Sequence, residues 1–105
     1  DSQAKFNLAL AHSALGATFF WNSDYEETLK HYYAAEEILE NLNQTYPTND
    51  EITDKLANLY VRIGETLSWQ NNLEQGEKNV LKGLEMHEPI SARNPNNPKF
   101  RKSLW

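Results

Sequence analysis

The chain contains no cysteine in its 105 residues. That removes disulfides and thiolate metal sites, and it fits a reducing compartment such as the cytoplasm. Long apolar runs are missing as well, since nothing approaches the roughly 20 apolar residues a helix needs to cross a bilayer. Cations are scarce: 10 Lys and Arg stand against 15 Asp and Glu, for a formal net charge of −5. That sign disfavours non-specific attraction to nucleic acid or membrane lipid, and over the whole surface it favours a basic partner. Arg93, Lys99, Arg101 and Lys102 make the C-terminal end locally basic, as a solvated face often is.

Signatures of common chemistry are equally absent. There is no glycine-rich phosphate loop, nucleophile elbow or HExxH. His12, His31 and His87 are far apart, and none has a His or Cys at i+3 or i+4. Glu26-Glu27 and Glu36-Glu37 are adjacent acids, but acid–base work needs one member buried to raise its pKa. On exposed helical faces they read as solubilising charge. No catalytic, cofactor-binding or metal-ligating residue is assigned, and the segment is read as non-enzymatic.

What is present is helix. With 39% hydrophobic and 24% charged residues the chain is too apolar for general disorder, and its length suits one small domain. Phe6, Leu10, Ala14 and neighbours give helical spacing from Ala4 to about Trp21. Asn22-Ser23-Asp24 breaks the pattern, with Ser23 or Asp24 capping a second helix that runs to about Asn43. Tyr46-Pro47 closes it. Thr48 or Asp50 caps a third helix reaching about Trp69, and a fourth runs from Leu73 to about Glu88, where Pro89 bends or ends it. Gly76 and Gly83 inside that helix each cost about 1 kcal/mol relative to alanine. Residues 99–105 read as the start of a fifth, short helix that must dock on the preceding hairpin, because isolated helices below roughly 12 residues are marginal in water.

Residues 9–56 lie on residues 57–104 without a gap. Gly16 meets Gly64, Trp21 meets Trp69, Glu26 meets Glu74, Lys30 meets Lys78 and Pro47 meets Pro95, a displacement of 48 residues. A period of this size marks stacked supersecondary units, each needing a neighbour to cover its apolar face. Leu15-Gly16, Phe19 and Ser23-Asp24-Tyr25-Glu26-Glu27-Thr28, with Tyr32 and Ala35, resemble the tetratricopeptide repeat (TPR) family. The second copy carries Ile63-Gly64, Leu67, Asn71-Asn72-Leu73-Glu74-Gln75-Gly76, Val80 and Gly83. The resemblance implies an all-α fold of stacked antiparallel hairpins forming part of a right-handed α-solenoid, four helices plus the short fifth. Its small residues, Gly16 against Thr28 and Ala35 and Gly64 against Gly76 and Gly83, let paired helices approach closely. Two features depart from the family: Ser23 and Asn71 replace the usual turn glycine, and the period is long. Long periods with an Asn-Pro-Asn-Asn-Pro type linker resemble repeats in large bacterial proteins, some carrying protein-kinase domains. Beginning at Asp1 and ending on Leu104-Trp105 in mid-pattern, the chain reads as a segment of a longer polypeptide.

The resemblance also implies a function, a scaffold that binds a protein or peptide in the concave groove lined by the first helix of each hairpin. The family's groove positions fall on Leu10, Ser13, Ala17, Phe20 and Trp21, then on Asn58, Val61, Glu65, Ser68 and Trp69, with Arg62 added to the groove. Trp21 and Trp69 either pack between hairpins as core or contact the partner. The family's Lys and Asn clamp for a terminal carboxylate is not matched, since only Arg62 offers a charge there. His12 falls where the family places a large core residue. Two other readings stand beside the scaffold: a spacer or self-association module meeting copies through Phe100, Leu104 and Trp105, and a regulatory arm of an attached catalytic domain.

Overall fold

A computed structural model of the chain describes residues 1–96; the expected fifth helix and the end at Phe100, Leu104 and Trp105 lie outside them. The described residues are all-α. They form α1 (Ser2–Trp21), α2 (Tyr25–Thr45), α3 (Asp50–Trp69) and α4 (Leu73–Arg93), with no strand among them.

Local chemistry sets the ends. α1 starts earlier than its apolar pattern predicts because the Asp1 carboxylate accepts the Gln3 N–H at 3.2 Å. Asp24 caps α2 by accepting the Glu27 N–H at 3.2 Å, and Glu26 and Glu27 face the positive end of the helix dipole. The cap of α3 is neither Thr48 nor Asp50. Asn49 takes that place, accepting the N–H groups of both Glu51 and Ile52. Asp50 is thereby freed to bind Arg93 and, at 3.1 Å, Asn94 at the far end of α4. The Arg93 bond holds the Asp50 carboxyl below the usual carboxylate range.

That tie helps explain why α4 runs past Pro89, where the sequence suggested a bend or stop. Pro89 sits on the exposed side, while His87 and Ile90 are buried and anchor the last turns. A proline removes one helical hydrogen bond, and packing on the opposite face outweighs that loss here.

Both intra-hairpin turns have the same construction. Ser23 and Asn71 adopt left-handed backbone at φ 61° and 66°. The Asp24 N–H reaches back to the Phe19 carbonyl and the Ser23 N–H to Phe20; Asn72 reaches Leu67 and Asn71 reaches Ser68. This is the Schellman closure, usually built with glycine at the left-handed position.

Helices pack in chain order. α1 lies on α2, α3 on α4, and α2 on α3, while α1 touches α3 only lightly and no substantial interface joins α1 to α4. Ala9, Tyr32, Ala35, Leu39, Leu56 and Ile63 form the centre of the core. Close approach within hairpins depends on glycine. A methyl group on Gly64 would lie 2.5 Å from the Gly76 carbonyl oxygen, and one on Gly16 would meet the Tyr32 ring at the same distance. Gly83 faces the Ala57 carbonyl and Val61 rather than Gly64, one step further along the same seam.

The second hairpin carries one polar exception. His87 Nε2 and Asp54 Oδ1 lie 3.0 Å apart, both buried. Their counterparts one repeat earlier are Leu39 and Phe6, which belong to the apolar core or pack against it.

Candidate binding surface

A shallow cleft of about 260 Å³ runs between α1 and α3, lined by Leu10, Ser13, Lys55, Asn58, Leu59 and Arg62. Four of these are groove positions expected from the sequence: Leu10, Ser13, Asn58 and Arg62. The rest are placed differently. Ala17 and Phe20 are half-buried nearer the turn, and Glu65 is exposed outside the cleft. Val61 is not a groove residue at all. It is buried toward α4, where its Cγ2 closes on Gly83. Lys55 was missed because the family positions do not include it, yet Lys55, Asn58 and Arg62 follow i, i+3, i+7 spacing and share one stripe.

The electrostatics of the cleft differ from those of the chain. Its lining holds two cations and no carboxylate. The Asn58 Oδ1 atom is out of solvent and accepts no hydrogen bond from the described residues. Behind the cleft, burial raises the pKa of the Tyr32 hydroxyl, Arg62 opposes that shift and Glu65 adds to it. Tyr32 therefore stays a neutral phenol. The lining therefore presents two positive charges beside apolar side chains.

Neither Trp21 nor Trp69 is core. Trp21 is 82% exposed and Trp69 is 65% exposed, because each is the last residue of its helix, at the edge of the packed core. Trp69 stacks on Tyr25 of the preceding hairpin, with ring centres 6.4 Å apart and planes inclined by 15°. Phe20 touches both Tyr25 and Trp21, at 5.6 and 5.9 Å. Together they make an aromatic rim at the turn end of the molecule. Trp21→Ala is expected to shift unfolding by no more than about 0.5 kcal/mol, and Trp69→Ala by about 1 kcal/mol for the lost stack. Urea denaturation followed by circular dichroism measures both; a loss near that of a core tryptophan would contradict the exposure.

Two other side-chain clusters lie away from the cleft. His12 Nδ1 and His31 Nδ1 meet at 3.1 Å across the first hairpin, and Phe19 stacks on His31. The ring centres are 5.3 Å apart, so the nitrogens point almost head-on, as in one N–H donating to the other nitrogen. No group of three or more His, Cys, Asp or Glu converges among the described residues. Sequence spacing gave no sign of this pair, since it forms across a turn between helices. On the other side, the Tyr60 hydroxyl donates to Glu40, and Lys82 lies 4.4 Å from the centre of the Tyr60 ring. Glu36, read from the sequence as surface charge, is half-buried there. Burial first and then Glu40 raise its pKa. Burial followed by the Glu40 bond pushes the Tyr60 pKa up strongly, so this hydroxyl is committed to tying α2 to α3.

No helix among the described residues is long and apolar enough to cross a membrane. No protein-family model, curated protein or solved structure matches the chain.

Proposed function

We propose that this chain is a non-catalytic protein- or peptide-binding module of tetratricopeptide-like build, and that its α1–α3 cleft receives an extended segment bearing a carboxylate. The observation that carries this reading is the grouping of Lys55, Asn58 and Arg62 beside the apolar Leu10 and Leu59, with no acid in the lining. An acidic side chain or terminal carboxylate suits the two cations. The aromatic rim offers apolar anchorage about two helical turns further along, at the turn end.

The basic partner suggested by net charge is set aside for this cleft on grounds of range. Charges more than a Debye length away, about 8 Å at physiological salt, are largely screened. Lys55 and Arg62 act at contact distance, where a hydrogen bond to a charged group contributes about 1.5–3 kcal/mol.

The test is fluorescence anisotropy with labelled acidic peptides and with the same peptides carrying Lys for Glu. Acidic peptides are expected to bind in the micromolar range, about −8 kcal/mol, and more weakly as salt rises. Arg62→Glu and Lys55→Glu should each weaken binding by about tenfold or more. Equal affinity for the two peptide sets, or full affinity in both variants, overturns the reading.

A further inference from the structure

We propose that the α1–α3 cleft selects a segment in polyproline conformation that carries two carboxylates three residues apart, with proline or another apolar residue between them. This rests on the cleft being the binding site, and adds the conformation of the ligand and the spacing of its charges.

The spacing comes from α3. Lys55 and Arg62 stand seven residues apart on one stripe of that helix, so about 10.5 Å separates them along its axis. Among the described residues neither is in an ion pair, whereas Lys78 and Arg93 are paired with Glu74 and Asp50. Both cleft cations are thus uncommitted, in a chain whose acids outnumber its cations. Asn58 and Leu59 lie between them along α3, and Leu10 lines the cleft from α1. That middle stretch suits an apolar side chain between the two charges.

The conformation follows from the walls and from the repeat length of the ligand. Both walls are helices, whose backbone groups are bonded internally, and the described residues contain no sheet edge. A β-strand laid there gains no main-chain hydrogen bonds. Polyproline helix keeps its backbone solvated and needs none. A strand returns side chains to one edge after two residues, about 6.7 Å, or after four, about 13 Å. Polyproline helix returns them after three, about 9.3 Å. The second figure lies closest to the separation of the cations, and the flexible stem of Lys55 takes up the remainder. Past Arg62 the surface changes sign. Glu65 is exposed one turn further on, outside the cleft, so an acid carried that far meets a like charge.

Fluorescence anisotropy on the full chain tests this with labelled proline-rich peptides, acetylated and amidated so that no terminal carboxylate takes part. Each peptide carries two glutamates, placed one, three or six positions apart, with composition and net charge held constant. The three-residue spacing is expected to bind about tenfold more tightly than the other two, the contribution of one charge-assisted hydrogen bond. Lys55→Gln and Arg62→Gln should each remove that preference and leave the three peptides alike. Circular dichroism checks that both variants remain helical. Equal affinity for all three spacings in the wild-type chain, or a preference that survives in either variant, overturns the proposal. So does tighter binding by an alanine-rich helical peptide with its glutamates seven apart. Acidic peptides that still bind better than their lysine counterparts, whatever the spacing, would sink this inference alone. Acidic peptides that bind no better than lysine ones would sink the cleft reading with it.

Discussion

Asp54→Ala is expected to destabilise the protein by about 1–3 kcal/mol, the cost of removing one partner from a buried polar pair. Asp54 and His87 are both out of solvent, 3.0 Å apart between α3 and α4. Truncating the carboxylate removes that partner from an imidazole held out of solvent, and truncating His87 does the same to the carboxylate. A domain of this size has roughly 5–15 kcal/mol of stability in total, so the loss is a sizeable share of it. Replacing both partners with leucine is the informative control. The first hairpin already places apolar side chains at the equivalent positions, Phe6 and Leu39. Apolar replacement of both members of a buried pair is often neutral or stabilising, so the double variant should recover most of what the single one loses. Urea unfolding of the three proteins decides it, and a single-variant loss below about 1 kcal/mol would mean that the pair contributes little.

Gly64→Ala is expected to cost about 1–3 kcal/mol through overpacking, despite alanine's better helix propensity. The added methyl would meet the Gly76 carbonyl oxygen at 2.5 Å and the Val80 nitrogen at 2.9 Å. Both are backbone atoms of α4, so relief requires the two helices to move apart. Gly16→Ala is the matched comparison. There the nearest atoms belong to the Tyr32 ring, which can tilt, and the Thr28 carbonyl is further away at 3.2 Å. The second hairpin should therefore be the more sensitive of two positions that are identical in sequence. Thermal or urea melts of both variants check the order, and equal losses would show that the seam yields as easily as the ring.

Much of the architecture was legible because turn chemistry and apolar period agreed with one another. Asn22-Ser23-Asp24 and Gln70-Asn71-Asn72 mark both turns, and the two glycine-bearing seams follow from small residues at matching positions. The missed boundaries have physical causes. Asn49 outcompetes Thr48 and Asp50 as the α3 cap because its side chain reaches two N–H groups at once. Pro89 does not end α4, because burial of His87 and Ile90 outweighs the hydrogen bond it removes.

The candidate site was less legible. Groove positions taken from a family pattern collected Leu10, Ser13, Asn58 and Arg62, but they overlooked Lys55 and included Val61. Which way a residue near the edge of a stripe points depends on the crossing of the two helices, and a few tens of degrees separate cleft from seam. The tryptophans illustrate the same limit. Their position in the last turn leaves them beyond the core, whatever their hydrophobicity suggests. His12 and His31, like Asp54 and His87, meet only once the helices are paired, and no local spacing announces such contacts.

The matched Schellman closures have a geometric consequence. With Ser23 and Asn71 in the same backbone state, and the same reach-back bonds made by Asp24 and Asn72, each helix pair leaves its turn through equivalent local geometry. Any departure of the second helix pair from the path of the first must therefore be set mainly at the joint, where residues 46–49 link α2 to α3. Engineering that short joint, rather than the turns, is the way to change the angle between the two pairs.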